Sequence, residues 1–212
     1  MGKASRNAGG KERVLKKIKI MEPAIHLSFS EYTVINELER QFKKKEGYTV
    51  SIPSSRQQKG FDIILYNNFS KKSLTIQVKS SKAYTSKTPK RPTTARYKNS
   101  TWFNSFNAIK GLSDFYILLG VYVKTPNRES KSFKMKTQKW FDFVLLLFTE
   151  EEIIDFLSKL TLKKSDDKES KFSFVFNDNR QIFLSRGAKE KRDYTDKLFE
   201  KRYKELKMLL NP

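Results

Sequence analysis

The chain has 212 residues, with 44 Lys and Arg against 23 Asp and Glu, a formal net charge of +21, one histidine and no cysteine. That length holds one substantial domain, or one with appendages, and such an excess of positive charge points to a polyanion, most often nucleic acid. The lack of cysteine excludes disulfides, thiolate metal sites and thiol nucleophiles; histidine triads or multi-histidine metal sites would hang on His26 alone, so any metal rests mainly on oxygen ligands, which suits Mg²⁺ or Mn²⁺.

Residues 1–22 read as a basic N-terminal arm, with a helical tendency over 12–20. They lack the apolar stretch of a signal peptide. The segment SFSEYTVINELERQFKKKEGY predicts a helix capped by Ser30, with Val34, Ile35, Leu38 and Phe42 as its apolar stripe and Gly47 as its stop. A short strand follows at 48–53, then the polar loop SSRQQKG. FDIILYN (61–67) and SLTIQVKS (73–80) are β-branched and aromatic, and read as two strands of a hairpin joined through NFSKK. Residues 81–100 form a Lys/Thr/Ser/Pro loop. TWFNSFNAIKGL (101–112) reads as a helix ended by Gly111, and DFYILLGVYVK (114–124) as a strand buried on both faces.

A polar loop spans 125–138, and KWFDFVLLLF (139–148) is a further strand. TEEEIIDFLSKL (149–160) opens on a capping box, Thr149 with Glu152. KFSFVFNDNRQIFLS reads as a hairpin turning at 177–179, and 188–210 as a long charged helix. The longest apolar runs are far too short to span a bilayer, so the chain reads as a soluble cytoplasmic protein with no membrane partner. The fold expected is α/β, a mixed central sheet flanked by helices with a C-terminal hairpin and helix.

Within the 61–80 hairpin, the start of the first strand lies beside the end of the second. Asp62 therefore falls next to Gln77 and Lys79. Those two share one face by the period of two, while Val78 points into the core. A carboxylate, an amide oxygen and an ammonium converging at one sheet edge supply the minimum for holding a divalent ion beside a phosphodiester. Taken singly, Asp62 also suits a strand-entry turn and Lys79 an edge-strand charge.

These residues resemble the PD-(D/E)XK nuclease superfamily, the fold of many restriction endonucleases and Holliday-junction resolvases. Its pattern is an acidic helix, a strand bearing Asp, and a strand ending in acid–x–Lys; here that is Glu31, GFDII and IQVKS. The resemblance covers roughly residues 30–124. It departs from the pattern at Phe61, in place of proline, and at Gln77, where an amide brings no charge to a cation. It implies a restriction-endonuclease-like core over 23–160, with 161–212 as an extension. It also implies Mg²⁺ held by Glu31, Asp62, Gln77 and the Val78 carbonyl, with Lys79 acting on the attacking water. Glu31 is chosen over Glu37 and Glu39 because it continues the apolar stripe and so faces the sheet. Three solvated helix carboxylates fit the amphipathic pattern equally well.

Ser54 and Ser55, in the loop before Asp62, are candidates for the scissile phosphate, although an ordinary loop accounts for them too. From Ile63 to Ser113 the chain has no acid. Lys82, Lys87, Lys90, Arg91, Arg96 and Lys98 lie in that stretch and would offer phosphate contacts beside the metal site. Tyr84, Tyr97, Trp102 and Phe103 are interleaved with them. Trp102 and Phe103 also read as the core of the helix expected there. The function expected is a Mg²⁺-dependent DNA endonuclease, foremost a dimeric type II restriction enzyme without a small-molecule cofactor. The alternatives are a junction resolvase or repair or mobile-element nuclease, and a non-catalytic nucleic-acid binder with a decayed site.

Overall fold

The computed structural model describes residues 29–53, 60–81, 99–123, 141–160, 170–176, 180–187 and 192–211. The N-terminal arm, His26, Ser54, Ser55, Lys82, Lys87, Lys90, Arg91, Arg96 and Lys98 lie outside them, as do Tyr84 and Tyr97. The elements in order are α1 (Phe29–Gln41), β1 (Tyr48–Ser51), β2 (Ile63–Asn67), β3 (Ser73–Ser80), β4 (Asn99–Phe106), β5 (Phe115–Val123), β6 (Phe141–Thr149), α2 (Glu150–Ser158), β7 (Ser170–Phe176), β8 (Ile182–Arg186) and α3 (Phe199–Leu210).

The class is α/β. A mixed five-stranded sheet has the order β1-β2-β3-β5-β6, parallel only between β3 and β5, and a second sheet has the order β4-β7-β8. The five-stranded sheet is apolar on both faces. Ile63, Leu65, Ile76, Val78, Ile117, Leu119, Leu145 and Leu147 bury against Val34 and Leu38 of α1 and Phe199, Leu206 and Leu210 of α3. Tyr116, Leu118, Val144, Leu146 and Phe148 bury on the other side, against α2 and the phenylalanines of the second sheet. No helix among the described residues is long and apolar enough to cross a membrane.

Several expected elements change. Residues 101–112 are not a helix. The chain is extended from Asn99 to Phe106 and pairs antiparallel with β7, so the parallel crossover from β3 to β5 runs through a strand of the second sheet. The first helix starts at Phe29, with Ser30 inside its first turn, and stops at Gln41. Phe42 then turns into the core against Tyr48 (ring centroids 5.2 Å apart), and a 3₁₀ turn, Lys44–Glu46, leads to Gly47. Among the described residues of the C-terminal segment, only Phe199–Leu210 is α-helical. Upstream, Arg192 and Tyr194 lie beside β8, with Leu184 N–H donating to the Arg192 carbonyl (3.0 Å) and Tyr194 N–H to that of Ile182 (2.8 Å). The capping box at α2 is present in both directions: Glu152 N–H donates to Thr149 Oγ1, and Thr149 N–H to the Glu152 carboxylate.

The two sheets meet closely at Gly120. A Cβ there would lie 2.6 Å from Thr101 Cγ2 and 2.9 Å from Val144 Cγ1, so only glycine lets β4 settle over β5. Gly120→Ala is therefore expected to cost about 1–3 kcal/mol by overpacking, read from urea denaturation; an unchanged midpoint would show that the sheets can part at no cost.

Candidate active site at the β2–β3 fork

β2 and β3 pair from Tyr66↔Ser73 to Ile63↔Ile76. Beyond Ile76 they separate. β3 continues against β5 as far as Ser80↔Leu119, and Ser81 extends the contact by donating its N–H to the Leu119 carbonyl (2.8 Å). Asp62, one residue before β2, occupies the fork. Its N–H donates to the Ile76 carbonyl (2.9 Å), and its Oδ2 accepts the Val78 N–H at 2.7 Å. The carboxylate thus takes the place of the missing strand partner for β3. Just upstream, Gly60 has φ +108°, and a Cβ on it would come within 2.7 Å of Leu112 Cβ. A left-handed residue without a side chain is what brings the incoming chain to this edge.

The structure sets the Asp62 carboxylate against the Val78 backbone here. Asp62 is half-buried, and burial is the main reason its carboxyl is pushed above the usual range; the Val78 amide opposes this, the Glu31 charge raises the pKa further and the Lys79 charge lowers it. Glu31 and Lys79 are therefore both close enough to act on the Asp62 carboxylate. Glu31 sits in the first turn of α1, a favourable place for a negative charge at a helix N-terminus. Glu37, the other candidate, is used locally: its Oε1 accepts from Arg40 (2.7 Å) and Gln41 (3.2 Å). Glu39 is exposed.

β3 alternates as expected. Ile76 and Val78 bury beneath α1 and α3, and Gln77 and Lys79 are half-buried on the other side. There Lys79 Nζ lies 5.9 Å from the centroid of the Phe106 ring, a cation–π contact contributed by the second sheet. Sequence reasoning missed this partner, because it took Phe106 for part of a helix. At Val78 the contact seen is through its N–H.

No family model, no curated protein and no solved structure matches this chain. Among the described residues no three Asp, Glu, His or Cys are gathered as a metal-binding group. The fork offers the Asp62 carboxylate, with the Glu31 charge acting on it, while Gln77 lies half-buried on the face of β3 turned away from α1. A carboxylate so placed fits Mg²⁺, which binds through one or two carboxylates plus substrate phosphate and keeps several waters. A cation beside Asp62 would also offset the burial and the Glu31 charge that raise its pKa.

Proposed function

We propose that this chain is a metal-dependent DNA endonuclease with a restriction-endonuclease-like core, acting as a type II restriction enzyme. The observation that carries the reading is the Asp62 carboxylate in the β2–β3 fork, bonded to the Val78 amide and under the charges of both Glu31 and Lys79. In this reading Glu31, Asp62 and the Gln77 oxygen would hold Mg²⁺ or Mn²⁺, which when bound would lower the pKa of a water and neutralise phosphate charge. Lys79, held against Phe106, positions the attacking water and meets the negative charge that develops on the phosphoryl oxygens. The net charge of +21 brings the polyanion to the surface. A homodimer would supply two such sites for the two strands of a duplex.

The test is incubation of the protein with supercoiled plasmid, a four-way junction and RNA, each with Mg²⁺, with Mn²⁺ or with EDTA. Discrete plasmid fragments that require the metal support the proposal. Nicking confined to the junction moves it to a resolvase, and retention of DNA without cutting under every metal condition moves it to a binding protein with a decayed site. Lys79→Ala is expected to lower the cleavage rate by about 10²–10³-fold with DNA retention preserved; wild-type cutting by that variant excludes the assigned role.

A further inference from the structure

The three-stranded sheet has two unlike faces. Phe103, Phe106, Phe172, Phe174, Phe176 and Leu184 point inward and bury in the second core. On the opposite face the register forms two rows across the strands. Trp102 pairs with Ser173 and Ser173 with Arg186; Ser100 pairs with Val175 and Val175 with Phe183. Arg186 is exposed, and its guanidinium carbon lies 5.6 Å from the Trp102 ring centroid. The two side chains meet across the intervening Ser173, which is only 5% exposed. Lys171 alternates with buried Phe172 and so shares this outer face.

The stack is not what holds the strands together. The backbone ladders and the inward phenylalanines do that, and a solvent-facing cation–π pair adds little. The strands that build the face carry one sign of charge. β4, β7 and β8 contain no acid, and β4 lies wholly inside the acid-free stretch from Ile63 to Ser113. Among the described residues, Asp193 is the acid in register with this face: it bridges Phe183 at the outer edge, and its Oδ1 accepts the Thr195 N–H at 2.8 Å. A second copy of a +21 chain is a poor partner for such a face. An indole under a flat guanidinium, flanked by a lysine, matches the chemistry of a nucleic-acid strand, with bases to stack and phosphates to pair.

We propose that the outer face of the β4-β7-β8 sheet, centred on the Trp102–Arg186 stack, is a platform for an unpaired nucleic-acid strand, separate from the β2–β3 fork. A base stacks on the pair, and Arg186 and Lys171 meet the adjoining phosphates.

Binding of a fluorescein-labelled oligothymidylate to the full chain, followed by anisotropy in EDTA, tests this whether or not the fork cuts. Trp102→Ala is expected to weaken binding about tenfold, with Trp102→Phe recovering most of the loss. Arg186→Gln should weaken it and reduce the slope of log K against log salt by about one. In a Trp140→Phe chain the remaining tryptophan, Trp102, should be quenched as the oligonucleotide saturates. Unchanged affinity in both Trp102→Ala and Arg186→Gln overturns the proposal. So does Trp102 fluorescence that shifts with protein concentration alone, which would assign the face to self-association.

Discussion

Replacing Asp62 by asparagine is expected to abolish metal-dependent cleavage, by about 10³-fold or more, and at the same time to raise the melting temperature at neutral pH. The first effect follows from removing the carboxylate that occupies the fork. The second follows from linkage. Burial, with Glu31 adding to it, places the folded-state pKa of Asp62 above its ordinary 3.8. The folded chain thus binds this proton more tightly than the unfolded chain, so Asp62 favours folding below 3.8 and loses that contribution as pH rises through the folded-state pKa. At pH 7 the ionised group is a net cost, and asparagine removes it while its own Oδ1 still accepts the Val78 N–H. Thermal melts should show Asp62→Asn above wild type at pH 7 and the two merging near pH 3. Added Mg²⁺ should raise the wild-type curve and leave the variant's in place. A variant that cuts at the wild-type rate, or melts below wild type at pH 7, contradicts the assignment of Asp62.

Truncating Arg202 is the most damaging single change expected outside the fork. This residue of α3 is 8% exposed and bonded through all three guanidinium nitrogens. Nη1 donates to the Leu147 carbonyl (2.9 Å) and the Glu152 carboxylate (2.6 Å), and Nε and Nη2 grip Glu205 (2.8 and 2.6 Å). Lys197 adds a second cation on Glu152 at 2.8 Å. Three elements, β6, α2 and α3, are tied at one point, and the ladder edge of β6 is closed by the same guanidinium. Arg202→Ala leaves Glu152 and a strand carbonyl without that donor, and is expected to cost about 3–5 kcal/mol, or roughly 10 °C in Tm for a chain of this size. Burial would raise the Glu152 pKa, but the hydrogen bonds from Arg202, Lys197 and the Thr149 amide bring it below 4.5. Its stabilisation is therefore complete above 4.5 and fades as pH falls through the lowered folded-state value. The gap between wild type and Arg202→Ala should narrow in acid. Pairing Arg202→Met with Glu152→Gln, which keeps the capping box, should recover more than half of the loss; a double variant no better than Arg202→Ala would mean that lost packing outweighs the unpaired charge.

The meeting of Asp62 with the end of β3 was legible because it rests on local spacing. Asp62, Gln77 and Lys79 lie on a hairpin whose turn and β-branched strands leave little choice of register, and the Thr149–Glu152 box announced α2 for the same reason. The splaying of β2 from β3 was not legible. It depends on β5, a parallel partner about forty residues downstream, holding β3 after β2 has let go. Residues 101–112 misled through a coincidence of period. Phe103 and Phe106 both point inward three residues apart, as on a helix, but a register shift between them resets the alternation of a strand. In the segment before α3, charge alternation suited a helix, whereas backbone bonds to Ile182 and Leu184 draw Arg192 and Tyr194 out as extended chain. In each case a long-range ladder overrode the local preference.

The pairing of β4 with β7 sets a schedule for synthesis. The two strands are separated by about seventy residues, and among the described residues β7 is the ladder partner of β4. At roughly 5–20 residues per second, a ribosome needs several seconds after releasing β4 to deliver β7. Through that interval Phe103 lacks Phe172 and Phe174 and Phe106 lacks Phe172, and the unfinished chain carries an unsatisfied strand edge of its own. Truncated or stalled products ending before residue 170 should therefore be the forms of this protein that clump and draw chaperones, while the completed chain does not.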